Sequence, residues 1–345
     1  MTNPSLSAIG FNALVAQALA QAQAPQGAAL ARVIEQHGTH CVVHTGAATH
    51  IARPHPALAR ECVLAVGDWV FVEVNPADAW IVSRLTPYTS LQRIDPSGAR
   101  QTLVNNVDVA FLVMGLDRDF NPRRLERYLA LVKSAGVWPV VVLTKADLCS
   151  DVDARLEELA RRLPAAIDRH ALDATDAQAV QALAPYLGAG QTGVLLGSSG
   201  AGKSTLTNAL AGMSVERTAE VRASDSRGRH TTTSRHLHAL PGGACLIDTP
   251  GLRGLRLDLD EDALAPLFED IAQLAQACRY RDCSHENEPG CAVRAGVPAD
   301  RLENYLKLRR EVARDRADPR AQRAAKARGK ILERAYRALQ KQRGR

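Results

Sequence analysis

Residues 197–205 read GSSGAGKST, and Gly197-x4-Gly202-Lys203-Ser204 has the spacing of a phosphate loop. Each residue type has a reason. Glycines let backbone N–H groups curl around a β-phosphate, Lys203 reaches the β/γ oxygens, and the Ser204 hydroxyl ligates Mg²⁺. Gly197, Ser198, Ser199, Gly200, Ala201, Gly202, Lys203, Ser204 and Thr205 form the candidate phosphate-binding set, with a helix N-terminus behind them. The stretch DTPG (248–251) closes an apolar strand 45 residues after Lys203. There Asp248 is expected on the Mg²⁺ side, and the Gly251 N–H at the γ-phosphate.

A base reader lies upstream rather than downstream. In VVVLTKADL (140–148), Asp147 can accept two hydrogen bonds from guanine N1 and N2, while Lys145 packs over the ring. Adenine has no such donor pair, and hydrogen bonds to a charged group contribute about 1.5–3 kcal/mol each. Thr144 stands where Asn is usual and is the weaker replacement. A carboxylate that reads guanine argues against an ATPase or kinase. Between loop and DTPG, SRGRHTTTSRH (226–236) offers Thr231 or Thr232 to complete the Mg²⁺ shell, in a polar segment suited to ordering with GTP. Leu252 follows DTPG where many GTPases place a water-orienting Gln. An apolar side chain cannot hold water, so His230 is the internal candidate for that task and unaided hydrolysis should be slow.

Four further ligands crowd together. Cys278-x4-Cys283-x-His285-x5-Cys291 supplies three thiolates and an imidazole, the closed shell of a structural zinc site. An iron–sulfur site would favour four cysteines. Seven cysteines, an odd count, with no export signal ahead of them, argue against a disulfide framework.

Elements must carry these groups. From about 30 to 95, short β-rich runs such as CVLAVGDWVFVEV and AWIVSRL, with the turn NPAD between them, suggest a small barrel, with an OB-fold as the leading choice. From NNVDVAFLVMGL (105–116), continuous apolar strands alternate with helices, the pattern of a doubly wound α/β nucleotide-binding domain. An acidic helix is expected over roughly 259–276. Residues 1–28 are Ala/Gln-rich without a clear period and read as a flexible lead-in. The expected division is 1–28 flexible, 29–100 OB-fold, 101–275 nucleotide-binding and 276–345 zinc-binding helical domain with a basic tail.

Charge separates the tail from the rest. Residues 307–345 hold 15 Lys/Arg and 4 Asp/Glu, a net of +11 in a chain of net +6, so the remainder carries −5. Such a block meets phosphate, and lacking a continuous apolar stripe it favours RNA over a membrane. No stretch approaches the roughly 20 apolar residues of a membrane span. The expectation is a cytoplasmic protein.

With the base reader ahead of the phosphate loop, the order is that of a circularly permuted GTPase. The phrases VGDWV, NNVDVAFLV, DFNPRRLERYL, LTKADL, GSSGAGKSTLTN, GRHTTT and LIDTPG, with the Cys3His spacing, resemble the RsgA (YjeQ-type) family of small-ribosomal-subunit biogenesis GTPases over about 30–310. The resemblance implies an N-terminal OB-fold β-barrel, a central permuted α/β P-loop GTPase and a C-terminal zinc-binding α-helical domain. It implies GTP hydrolysis stimulated by the small (30S) subunit late in its maturation, with 16S rRNA contact, one structural Zn²⁺, Mg²⁺ with GTP, and a monomer. The family's switch histidine falls on His230. HALDATD (170–176) stands where a Ser-Ala turn would support the base, leaving Asp173-Ala174 in question. The alternative is a nucleotide-gated RNA-binding placeholder whose turnover is incidental. In either case DTPG is followed in the chain by one helix and then the metal knuckle, an order that would pass γ-phosphate sensing to an RNA-facing domain.

Overall fold

Valines, isoleucines and aromatics alternating with polar residues make five strands between residues 29 and 84. In the computed structural model these are β1 (Ala29–His37), β2 (His40–His44), β3 (Thr49–Pro54), β4 (Trp69–Val74) and β5 (Ala79–Arg84). They close in the order β1-β2-β3-β5-β4-β1, antiparallel except for the parallel β3–β5 pair, a five-stranded barrel of the OB type. The structure describes residues 4–94, 99–212, 235–250, 256–257 and 264–317. His230, Thr231, Thr232, Gly251, Leu252 and the tail from 318 therefore lie outside the described residues.

The VGDW phrase makes the barrel's seam. Gly67 has φ +93°, and a Cβ there would lie 2.0 Å from Asn105 O, so only glycine fits. Asp68 beside it is fully buried and accepts from Ala65 N and Asn105 Nδ2, both at 2.8 Å. Burial pushes its carboxyl up, and Arg84 at 3.7 Å opposes.

The lead-in departs from expectation. Helix α1 (Pro4–Ser7) and helix α2 (Ala13–Gln21) occupy it, and Asn12 caps α2 by accepting from Leu14 N and Val15 N. Ile9 and Val15 are buried against Trp69, Phe71 and Leu85. A fully buried Arg32 donates to Ile9 O at 2.6 Å and Asn106 O at 3.0 Å. The apolar residues here are placed to meet Trp69, Phe71 and Leu85 of the barrel segment, so they show no regular helical period.

After α3 (Pro56–Glu61) within the barrel and the hairpin β6 (Ser90–Ile94) and β7 (Arg100–Asn105), the apolar runs become the nucleotide-domain sheet. Its strands are β8 (Val109–Gly115), β9 (Trp138–Thr144), β10 (Asp168–Ala171), β11 (Thr192–Gly197), β12 (His236–Ala239) and β13 (Cys245–Asp248). The order is β10-β9-β8-β11-β13-β12, parallel except for β12. Every residue of β8 and β11 is buried, as strands covered on both faces must be. Helices α4 (Pro122–Ser134), α5 (Val152–Arg162), α6 (Ala177–Val180) and α7 (Lys203–Ala211) complete the alternation. β12 also pairs with β1 at Glu35↔His236, making one continuous sheet with the barrel.

By its contacts the chain divides into units Met1–Arg256 and Leu257–Arg345. The second holds helices Glu269–Ala275, Ala292–Gly296 and Ala299–Ala317. Its core gathers Phe268, Ile271, Val293, Val297 and Leu308, with buried Arg301 clamped on Asp270 at 2.7 and 2.8 Å. Of the acidic helix expected over 259–276, residues 259–263 lie outside the described residues; beyond them Ala265–Leu267 is a 3₁₀ turn that includes Pro266, and Glu269–Ala275 is α-helical. Among the described residues no helix is long and apolar enough to cross a membrane.

Candidate nucleotide site and metal centre

Parallel strands end together, and their ends carry the chemistry. Register pairs Gly197 with Val113 and Gly115 with Thr144, so the phosphate loop after β11 and the TKAD turn after β9 flank the end of β8. A Cβ on Gly197 would meet Val113 O at 2.3 Å. Gly202 has φ +88° and sits against Thr144, whose Oγ1 would be 3.2 Å from an added Cβ.

Within the loop, Lys203 is buried and its ammonium donates to Ser198 O at 2.8 Å and Gly197 O at 3.2 Å. Burial pushes it below the ordinary lysine range, and Asp248 and Asp119 oppose that shift. Ser204 and Thr205, at the start of α7, are exposed, as is Gly200. Ser198 and Ser199 are half-buried and Ala201 is buried. The Ser204 hydroxyl donates to Asp248 Oδ2 at 3.3 Å, so two candidate Mg²⁺-side oxygens meet across α7 and β13. Thr249 ties DTPG back to the loop's own strand, donating to Leu195 O at 2.6 Å.

The TKAD turn is built by backbone. Lys145 adopts a left-handed conformation (φ +61°), which lets the chain turn from β9 into the 3₁₀ turn Ala146–Leu148 and leaves Asp147 exposed. Lys145 Nζ pairs with Asp117 Oδ2 at 2.6 Å. That contact, above all, holds the Asp117 carboxyl below its ordinary range. Thr144 Oγ1 donates to Ala201 O at 2.7 Å, joining turn and phosphate loop. The Asp173 carboxylate is turned onto its own loop, accepting from Thr175 N and Oγ1 at 2.8 and 2.7 Å, and Ala174 is buried beside it.

Sequence reading missed the acidic pair after β8. Asp119 accepts from the Ser198 hydroxyl at 2.6 Å and pairs with Arg124 at 2.6 Å, bracing the phosphate loop from α4. The signal was present in GLDRDFNPRR, two carboxylates directly after a buried strand that borders the loop's strand.

In the second unit, Cys278, Cys283, His285 and Cys291 bring their ligand atoms within 4.8 Å of one another, a group that could hold a metal ion. Cys278 Sγ lies 3.9 Å from Cys291 Sγ, and His285 Nδ1 lies 3.7 and 3.5 Å from these two sulfurs. A tetrahedral Zn²⁺ at ordinary bond lengths requires S···S edges of about 3.8 Å and S···N edges of about 3.6 Å. The residues fit. His285 reaches in from a left-handed backbone (φ +65°). Glu288 fixes the loop, accepting from the amides of Ser284, Glu286 and Asn287 and from the Ser284 hydroxyl. The Ser284 hydrogen bonds lead in bringing its carboxyl down to about 2.

A phosphate loop on one strand end, beside a TKAD turn that precedes it in the chain, defines a P-loop GTPase of circularly permuted order. YjeQ from Thermotoga maritima has this fold, with TM-score 0.59 at 23% identity over 83% of this chain and 99% of that one. So does YloQ, described as a circularly permuted GTPase, with TM-score 0.57 at 23% identity over 85% and 98%. The RsgA GTPase family model matches residues 86–258. The small ribosomal subunit biogenesis GTPase RsgA of Xanthomonas oryzae pv. oryzae (strain PXO99A) is 50% identical over 301 residues, 82% of this chain and 80% of its own. That of Xylella fastidiosa (strain 9a5c) is 48% identical over 295 residues, 82% and 85%. The chain belongs to the RsgA GTPase family, a family of GTP-hydrolysing enzymes.

Proposed function

We propose that this protein hydrolyses GTP on the small (30S) ribosomal subunit, late in that subunit's maturation, with hydrolysis timing its release. The observation that carries the reading is the 2.7 Å hydrogen bond from Thr144 to Ala201 O. It holds the base-reading turn against the phosphate loop, so Asp147 and Lys203 serve opposite ends of one nucleotide. The relatives' name, small ribosomal subunit biogenesis GTPase, supports the choice of partner.

In this reading Asp147 accepts from guanine N1 and N2, and the alkyl chain of Lys145, pinned by Asp117, covers the ring. Gly197 to Thr205 offer amides to the phosphates. Lys203 exchanges the loop carbonyls that it now holds for β/γ oxygens, an exchange of neutral acceptors for charged ones. Ser204 and Asp248, with Thr231 or Thr232, would hold Mg²⁺, whose chemistry when bound is to neutralise charge between the β- and γ-phosphates. Gly251 would sense the γ-phosphate, and His230 would orient the attacking water. The Cys278–Cys283–His285–Cys291 group would hold one structural Zn²⁺. The functional parts follow as an OB-fold at 29–100, a GTPase domain at 101–275 and a zinc-binding domain at 276–345. The protein is cytoplasmic and monomeric, with 16S rRNA met by the barrel, the zinc domain and the basic tail.

The test is GTP turnover with and without purified small subunits. Stimulation by about tenfold or more is expected, since a supplied transition-state group contributes at least that much. Unstimulated turnover together with GTP-dependent subunit binding would instead support the placeholder reading.

A further inference from the structure

The side chain that opens TKAD has no proton left to donate to a base. Thr144 is fully buried. Its hydroxyl lies 2.7 Å from Ala201 O and 3.4 Å from Met114 O, and both neighbours are acceptors. A hydroxyl has one proton to donate, and here the shorter contact, to the phosphate loop, takes it. Gly202 packs against the same oxygen, since an added Cβ would be only 3.2 Å from it. An Asn side chain would bring two protons and an acceptor, enough to serve the loop and a base together. Asp147 is exposed at the same turn, its carboxylate open to a ligand's donors.

We propose that Thr144 is a positioning residue that ties the base-reading turn to the phosphate loop and leaves guanine N7 unread by its side chain. Base selection in this chain then depends on the N1/N2 donor edge facing Asp147, not on the acceptor at N7. The inference rests on the proposed reading of Asp147 as the guanine reader. It makes the threonine part of phosphate-loop geometry, and it predicts that the nucleobase can lose N7 at little cost.

The experiment is calorimetric binding of GDP, 7-deaza-GDP and IDP to the full chain, diphosphates avoiding turnover during the titration. 7-Deaza-GDP, in which a C–H replaces N7, should bind within about twofold of GDP, because no donor loses its partner. Thr144→Val keeps the shape and removes the hydroxyl. It should weaken GDP and 7-deaza-GDP by the same factor, roughly fivefold for one neutral hydrogen bond. Thr144→Ser should restore both. A penalty that vanishes with 7-deaza-GDP would show the hydroxyl on N7 and overturn the proposal, as would a valine variant with no loss for either ligand. Should the valine variant fail to fold, the wild-type pair still decides: 7-deaza-GDP bound about tenfold more weakly than GDP would mean that N7 is read. IDP, lacking the 2-amino group, reports separately on Asp147. IDP bound as tightly as GDP would remove the carboxylate reading while leaving the Thr144 comparison intact.

Discussion

The nucleotide site and the Cys/His knuckle solve one problem, holding polar groups in fixed geometry, by opposite means. The phosphate loop and the TKAD turn stand on the ends of β8, β9 and β11, strands buried almost throughout, and neighbouring backbone defines their positions. The described residues 264–317, which carry the knuckle, form helices and loops without a strand. Between 276 and 290 only His285 is buried, and the loop is held by Glu288 on its amides and by Arg279 N donating to Gly290 O at 3.2 Å. Where hydrophobic burial is scarce, ligand bonds must supply the stability. The lesson is that the first site should survive loss of its ligand and the second should not.

Metal removal tests that contrast with the largest expected effect. Structural Zn²⁺ contributes on the order of 10 kcal/mol in small metal-held modules, comparable to a whole domain's stability. Chelation, or Cys283→Ser, should abolish hydrogen-exchange protection in helices Ala292–Gly296 and Ala299–Ala317 while the amides of β8 and β11 stay protected. Helices that keep their protection after the metal is gone would show that the small core around Phe268 and Val293 suffices, and the contrast would fail.

Legibility followed the same division. Motifs that work through backbone, such as GSSGAGKS, DTPG and the Cys/His spacing, are visible because turns and ligation restrict residue types at fixed offsets. The barrel and the parallel sheet were visible as a change from alternating to continuous apolar runs. What stayed hidden depends on contacts distant in sequence. Ser198 and Asp119 are 79 residues apart, and Arg32 reaches Asn106 across 74. The helices of the lead-in were invisible because Ile9 and Val15 answer to Trp69 and Phe71, not to a periodicity of their own. Thr144 looked like a weak base reader because its partner, Ala201 O, is 57 residues away.

A second experiment sharpens the claim that backbone holds the nucleotide site. Gly197→Ala puts a Cβ 2.3 Å from Val113 O, so β8 and β11 must separate. Gly200→Ala meets nothing within 4 Å and strains only its own φ of +82°. Chemical denaturation should show losses of roughly 2–4 kcal/mol for the first and about 1 kcal/mol for the second. Equal losses would mean that the loop, not the strand pairing, absorbs the change.

For the sheet, the response to acid is smaller than the loss expected at Gly197, and it separates the two regions by the shape of the curve. His238 on β12 lies 4.3 Å, ring to ring, from His236. Burial first, then the neighbouring His236, pushes it down to about 4, with Glu35 opposing. An unfolded histidine titrates near 6.5, so between there and 4 the unfolded chain holds the extra proton and stability falls as pH falls, the loss being complete below 4. Allowing for its partial exposure, the loss is about 1–2 kcal/mol. Burial pushes Glu35 up, but His37 and His236 outweigh it and hold the carboxyl below its ordinary range. Its contribution is lost only as pH drops beneath 4.5, below most of the histidine window. The sheet should therefore lose stability gradually. The knuckle should lose its metal, and with it its fold, in one step as several ligands take up protons together. Residue-resolved hydrogen exchange against pH reads both regions in one sample. His238→Gln should flatten the slope between pH 6.5 and 4 for the sheet amides while leaving the knuckle's step where it was. A slope that persists in that variant would move the acid sensitivity of the sheet to some other group.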